Sequence, residues 1–465
     1  MITRRKFLQD GLAFSVVGVA IGATAKSYAQ ILGSNERVNF AVIGTSSRAL
    51  AHLAGLKANQ ASSRITHICD VDSRNLSRFA GKVQDELGYS PASTGDFRNV
   101  LDSKDVDVVT IATPDHWHAP MAILGLRANK HVYVEKPSSH NPREGELLAE
   151  AQKKYGKLVQ VGNQHRSSAH ETRIIQQIHE GRIGTAYYGK AWYANTRAPM
   201  GIGRVAPVPL QLNWDLWQGP APRSAYKDNI HPYNWHWLRA YGTGEALNNG
   251  THETDLCRWA LQVAFPDRVA AQGGRYQFKD DWEFYDTLDV TFKYQDKMIN
   301  WDGKSAQGMK QFGRDRGALI QGTQGSVIMA HDGYEVYDWN GKKTDEYKTG
   351  AHSASSDLRG QDEMTNAHFA NLISGVRTSE KLHSPISEIN ITITALQLVN
   401  ISWIVGRELN INTATGHVKN DPESDETMVA RLPERMGPED LVIARRPAVG
   451  CPAPIRLASL VAGID

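Results

Sequence analysis

Val38-Asn39-Phe40-Ala41-Val42-Ile43-Gly44-Thr45-Ser46-Ser47-Arg48-Ala49 reads as an apolar strand, a glycine-led turn and the start of a helix spaced over 49–58. The turn approximates the dinucleotide fingerprint G-x-G-x-x-G/A. In that motif the first glycine makes a tight turn, the second admits a pyrophosphate to the backbone, and a small third residue packs the helix on the sheet. Here Gly44 leads, Ser46 replaces the second glycine and Ala49 is the small third residue. A serine still presents its N–H and adds a hydroxyl donor, but it crowds the approach, so the turn alone is a weak signal. Ser46, Ser47 and Arg48 at the helix start are the candidate phosphate contacts. Asp70, ending the next expected strand, is the candidate ribose acceptor. Its carboxylate would repel a 2′-phosphate and so favours NAD, while Arg74 nearby leaves NADP open.

Strand and helix alternate after this unit. Strands are expected at 64–69, 106–112, 131–135 and 158–161, with helices at 72–87, 117–128 and 142–155. The last helix carries a start signature of Asn141, Pro142 and Glu144. This alternation predicts an α/β chain whose first half is a Rossmann-like parallel sheet wrapped by helices. Two stretches fall at strand ends, Thr113-Pro114-Asp115-His116-Trp117-His118 and Val132-Tyr133-Val134-Glu135-Lys136-Pro137. Open α/β sheets bind ligands in the crevice at those ends, which points to an enzyme.

Beyond residue 161 the composition changes. A Trp-, Pro- and Gly-rich irregular segment at 198–244 precedes a helix at 246–263. Strand-like runs follow at 269–278, 288–294, 297–301, 318–321, 327–330 and 334–339, then helices at 362–375 and 388–409. This reads as an α+β domain with an open, largely antiparallel sheet. The expected boundaries are 30–162 for the Rossmann domain, 163–416 for the substrate-binding domain and 417–465 for a C-terminal extension.

Residues 1–29 read as an export signal. Thr3-Arg4-Arg5-Lys6-Phe7-Leu8 matches a twin-arginine motif in all but its leading residue, and small-residue cleavage candidates follow an apolar run over 11–22. The run is short of the about 20 residues a spanning helix needs. A periplasmic protein is therefore expected, with the twin-arginine machinery as a partner; an uncleaved anchor is the alternative. This route carries folded proteins, which suits a chain that acquires a cofactor before export.

A net charge of +2 without a long basic run excludes a nucleic-acid partner. Cys69, Cys257 and Cys451 show neither metal nor redox spacing, and no disulfide framework is implied. The chain holds 11 tryptophans, several of them between Trp192 and Trp259. Aromatic faces floor sugar sites, although burial explains most tryptophans.

Together the Rossmann-like half, Glu135-Lys136-Pro137, the Thr-Pro-Asp-His-Trp-His turn and a Gly-x-Gly…Gly-x-His-x-x-Asp helix over 242–255 resemble the Gfo/Idh/MocA oxidoreductase superfamily. Its namesakes include glucose–fructose oxidoreductase and inositol dehydrogenase. The resemblance runs from Arg37 to about Gly416 and implies a nicotinamide-dependent oxidoreductase acting on a sugar, glycoside or cyclitol. The substrate would lie between the Rossmann domain and the open sheet. By position, Lys136 matches the family's catalytic lysine and His252 its catalytic histidine. Thr113, Pro114 and His118 match positions bordering the nicotinamide, and Glu135 packs beside Lys136. Gln164 is a candidate cofactor contact and Arg166 a candidate substrate contact.

One departure stands out. Four residues before the histidine the family usually has an aspartate, and this chain has Asn248, so proton handling rests on Lys136 and His252. Asp255 either orients His252 or is a structural helix acid, and Trp235-His236-Trp237 stacks on sugar or packs in a core. His116, His118, His236 and His252 lack the carboxylates a metal site would add, so no metal is expected.

Three functions compete: a net oxidoreductase, a redox-neutral glycosidase or lyase working through a transient keto-sugar, and a non-catalytic binding protein. Exported relatives of the second kind carry a Tyr-Pro-Thr-His-Gly-type motif. Asn249-Gly250-Thr251-His252-Glu253 stands there instead and favours the first. A free dinucleotide pool is not assumed outside the cytoplasm, so a tightly held nicotinamide is expected. A homo-oligomer is the expected state.

Overall fold

The computed structural model describes residues 37–349 and 363–424. The expected export signal, Cys451 and most of the expected extension lie outside the described residues. The N-terminal half alternates β1 (Val38–Ile43), α1 (Ala49–Ala58), β2 (Ser63–Cys69), α2 (Ser73–Leu87), β3 (Ala92–Thr94), α3 (Phe97–Asp102), β4 (Val108–Ile111), α4 (Asp115–Arg127), β5 (His131–Val134), α5 (Pro142–Tyr155) and β6 (Val159–Val161). The six strands are parallel in the order β3-β2-β1-β4-β5-β6. That is the doubly wound order, in which the strand sequence reverses between β1 and β4 and opens a crevice at their C-terminal ends.

Local chemistry sets several boundaries. Asp72 caps α2 by accepting from the Arg74 N–H, and Gly88 ends it in the left-handed region. Asn141 Oδ1 accepts from the Glu144 N–H at 3.0 Å, and Pro142 occupies the first turn of α5. Each cap satisfies a backbone donor that the helix start leaves open. The short β3 and α3 were not anticipated, because three- and six-residue elements carry too little periodicity.

Next come α6 (Ala169–His179), β7 (Ala186–Ala194) and α7 (Trp214–Gln218). The chain continues through α8 (Gly244–Asn248) and α9 (Gly250–Leu261) into β8 (Arg268–Gly274), β9 (Thr287–Lys293), β10 (Met298–Lys304), β11 (Arg316–Gly322), β12 (Gly325–Ala330), β13 (Gly333–Asp338) and β14 (Lys343–Lys348). It ends in α10 (Glu363–Thr378), α11 (Ile386–Val405) and β15 (Leu409–Asn410). Among the described residues a nine-stranded sheet runs β14-β13-β12-β11-β7-β10-β9-β8-β15, antiparallel except for the β7–β10 pair. The expected open sheet is therefore present, but its middle strand β7, the edge strand β14 and helix α6 went unread.

One expectation is corrected. The single helix expected at 246–263 is two helices that break at Asn249. The Rossmann layer also recruits α10 from the far end of the chain, where Phe369 stacks on Tyr133 of β5 with centroids 4.7 Å apart and 12° between planes. Phe369 and Tyr133 are fully buried with Phe40, Leu53 and Leu56 in one apolar cluster.

Candidate active site

A cleft enclosing about 1290 Å³ of empty space opens at the C-terminal ends of β1, β4 and β5 and is closed on its far side by the segment between β7 and α8. Gly44 starts its floor. Its φ is +82°, and a Cβ there would stand 2.6 Å from the Ala112 carbonyl oxygen, so a side chain is excluded on both counts. Asp70 braces the same turn. Its Oδ2 accepts from the Thr45 N–H at 2.7 Å and the Thr45 hydroxyl at 2.9 Å, and its Oδ1 accepts from the Asp72 N–H at 2.8 Å. Burial pushes the Asp70 carboxyl above its ordinary range, against these hydrogen bonds. Asp70 thus lines the cleft while spending much of its acceptor capacity on the turn.

Ser46, Ser47 and Arg48 line the cleft at the start of α1, where backbone N–H groups and the helix dipole favour an anion. The Arg48 guanidinium, expected on phosphate, also donates Nε–H to Glu135 Oε1 at 2.8 Å. Glu135 Oε1 further contacts His52 Nε2 at 2.9 Å, and His52 Nδ1 lies 3.1 Å from the Thr110 hydroxyl. Burial alone would raise the Glu135 carboxyl, but the Arg48 charge and the His52 hydrogen bond hold it below its usual range.

Lys136 projects from the end of β5 into the cleft, where its Nζ donates to the backbone carbonyl of Asn248. Burial lowers its pKa, with Glu135 and Asp115 opposing and Arg48 and Arg316 assisting. Asn248 and Asp115 line the cleft as well, and Asp115 accepts from the Thr243 hydroxyl at 2.6 Å. Thr113, Pro114 and His118 border it from the β4 side; the His118 ring nitrogens meet the carbonyl oxygens of Thr113 at 2.8 Å and Pro137 at 2.6 Å. His236 also lines the cleft. It stacks on Trp235 at 3.6 Å, and burial lowers its pKa to about 4.

Other expected site residues are placed elsewhere. Gln164 is 2% exposed and off the cleft wall. Trp237 stacks on Trp282 with centroids 4.0 Å apart, so it serves the core rather than a sugar face. Arg166 is not aimed at a ligand: its Nε and Nη2 donate to Asp255 at 2.6 and 2.9 Å, and its guanidinium lies over the Trp259 ring. Asp255 is therefore an ion-pair partner and not a substrate contact. It reaches His252 only through Asn163, whose Nδ2 donates to Asp255 Oδ2 at 2.8 Å and whose Oδ1 lies 2.8 Å from His252 Nδ1. His252, 4% exposed, is likewise absent from the cleft wall; burial holds it well below the ordinary imidazole pKa, assisted by His165, Lys136, Arg316 and Arg48, which favours the neutral ring. Among the described residues no three His, Cys, Asp or Glu side chains are grouped to hold a metal.

Sequence reasoning missed Asn163, although it directly precedes the flagged Gln164. It also missed the roof of the cleft. Trp217, His231, Pro232 and Tyr233, from the segment before α8, line it. The segment is pinned to the Rossmann domain: the Trp117 indole donates to the carbonyls of Leu216 and Trp217 at 3.0 and 3.1 Å, the Asn213 N–H to Val71 O at 2.9 Å, and the Ser73 N–H to Gln211 O at 2.9 Å. The Trp- and Pro-rich composition marked the segment as unusual, but nothing in its spacing said where it docks.

Fold and cleft define a dinucleotide-binding architecture. Residues 38–163 match the GFO_IDH_MocA model, described as the oxidoreductase family with an NAD-binding Rossmann fold. A glycosyl hydrolase family 109 protein of Saccharopolyspora erythraea is 34% identical over 165 residues, 34% of this chain and 36% of the relative. An inositol 2-dehydrogenase of Rubrobacter xylanophilus is 29% identical over 171 residues, 37% of this chain and 48% of the relative. The chain thus spans less than half the length of these two curated relatives. Among solved structures, the WlbA dehydrogenase of Chromobacterium violaceum, in complex with NADH and UDP-GlcNAcA, superposes with a TM-score of 0.61 at 18% identity, covering 81% of this chain and 96% of its own. At that identity the likeness concerns the fold.

Proposed function

We propose that the protein is an NAD-dependent oxidoreductase that moves a hydride between a sugar, glycoside or cyclitol hydroxyl carbon and a tightly held nicotinamide. The observation that carries this reading is the single cleft joining the Gly44 turn, Lys136 and Asn248. The residues present suit the dinucleotide: a side-chain-free approach at Gly44, backbone donors at Ser46 and Ser47, and a carboxylate at Asp70 that favours NAD over NADP. The nicotinamide, when bound, supplies the hydride acceptor.

The chain's own groups handle the proton. Lys136 holds the reacting hydroxyl through an ammonium hydrogen that its Asn248 contact leaves available. His252, neutral and therefore able to accept, takes the hydroxyl proton. The absence of a carboxylate at position 248 leaves the amide to orient the substrate without adding charge.

A redox-neutral glycosidase or lyase is the second reading, favoured by the family 109 relative. It uses the same groups twice, first to oxidise the sugar and then to reduce it. Export by the twin-arginine route, a periplasmic location and a homo-oligomeric state belong to the same proposal. The test is native mass spectrometry of purified protein followed by assay with candidate sugars and glycosides, with no NAD added. Consumption of sugar with stable bound NAD supports the proposal, and released aglycone with no net redox change selects the second reading.

A further inference from the structure

We infer that Asn163 is a positioning residue that fixes His252 in the tautomer protonated at Nδ1 and so presents Nε2 as the basic nitrogen. The inference rests on the proposed role of His252 but is carried by separate geometry. Asp255 accepts from Arg166 through two bonds of 2.6 and 2.9 Å and from the Thr392 hydroxyl at 2.7 Å. Arg166 and Arg258 hold it ionised against burial. An ionised carboxylate only accepts, so the group Asn163 turns toward it at 2.8 Å must be the amide NH2. The reverse orientation would set the amide oxygen against a carboxylate oxygen, so chemistry rather than convention fixes the amide.

The amide oxygen is thereby left facing His252 Nδ1 at 2.8 Å. An amide oxygen cannot donate, so Nδ1 carries the hydrogen, and in a neutral imidazole the lone pair is then at Nε2. The main chain that carries this amide is itself anchored: the Asn163 backbone carbonyl accepts from the Ser384 hydroxyl at 3.0 Å, and the Asn163 backbone N–H donates to Val161 O at 2.6 Å. Asn163, Asp255 and His252 are all buried, at 0%, 1% and 4% exposure, so water offers Nδ1 no ready substitute partner.

The arrangement differs from a histidine resting directly on a carboxylate. The Arg166–Asp255 charge stops one residue short of the imidazole, and a neutral link passes on orientation without charge. A carboxylate at Nδ1 would favour the imidazolium, a form that cannot accept a proton.

The test uses the full protein with its cofactor and 15N-labelled histidine. The His252 resonances are identified by their loss in His252→Ala. The expected wild-type spectrum shows Nδ1 protonated and Nε2 bare, and a majority of the opposite tautomer overturns the inference. In Asn163→Leu, which removes the acceptor, the spectrum is expected to shift to a mixture of tautomers. Its kcat should fall about tenfold or more, with KM and bound NAD little changed; that loss is a share of the about 10²–10⁴-fold typical of a general base. An unchanged tautomer and kcat in Asn163→Leu overturns it as well. If that variant does not fold, the wild-type spectrum alone decides. Full activity in His252→Ala would instead defeat the proposed role of His252 and leave the tautomer result standing.

Discussion

The ammonium of Lys136, at the end of the fifth Rossmann strand, is held by the backbone carbonyl of Asn248, where α8 ends and one turn before His252. One hydrogen bond thus couples the cofactor sheet to the helix pair of the second domain. The break between α8 and α9 turns a carbonyl that a continuous helix would have used internally toward the lysine. Lys136→Met keeps most of the stem and removes the donor. We expect kcat to fall by about 10²–10⁴-fold with bound NAD retained. Wild-type turnover in this variant contradicts the assignment of Lys136.

Asp70 lines the cleft, where the proposal gives it the ribose, and accepts from Thr45 and Asp72. Asp70→Ser should therefore narrow the preference for NAD over NADP and weaken NAD binding as well, since the Thr45 N–H loses its acceptor. Titration calorimetry with both cofactors after removal of bound nucleotide reads both effects. An unchanged ratio of the two dissociation constants would falsify the ribose role.

Much of this was legible in the sequence. The β1–turn–α1 unit, the strand ending at Lys136 and the Asn141 cap are local, and local patterns of apolar spacing and capping residues define them. The break at Asn249 was not legible, because residues 246–261 keep a helical spacing on both sides of it. The role of Arg166 was hidden for another reason. Its position made it a candidate substrate contact, yet its partner Asp255 comes from a helix of the second domain, and only the tertiary fold shows that the two neutralise each other. Asn163 escaped notice because an amide becomes informative only when both of its neighbours are known. The docking of α10 through Phe369 on Tyr133 is likewise a long-range contact with no local signature.

Trp217 lies in the roof of the cleft, 5% exposed and stacked on Trp214 with centroids 4.6 Å apart. Shrinking this side chain opens the dinucleotide half without touching Lys136 or His252. Trp217→Leu is expected to raise the rate of cofactor loss about tenfold, equivalent to about 1.4 kcal/mol. The check is the time course of NAD appearing in a dialysate held well below the melting transition. Loss at the wild-type rate means the roof does not retain the cofactor.

The cleft is proposed to hold a nicotinamide that stays bound through turnover. Native mass spectrometry of the extensively dialysed protein, before and after incubation with candidate sugars and no added NAD, tests it most directly. A mass increment equal to one NAD per chain is expected in both samples, together with conversion of at least one sugar or glycoside. Protein that loses its nucleotide on dialysis and turns over only with free NAD would contradict it.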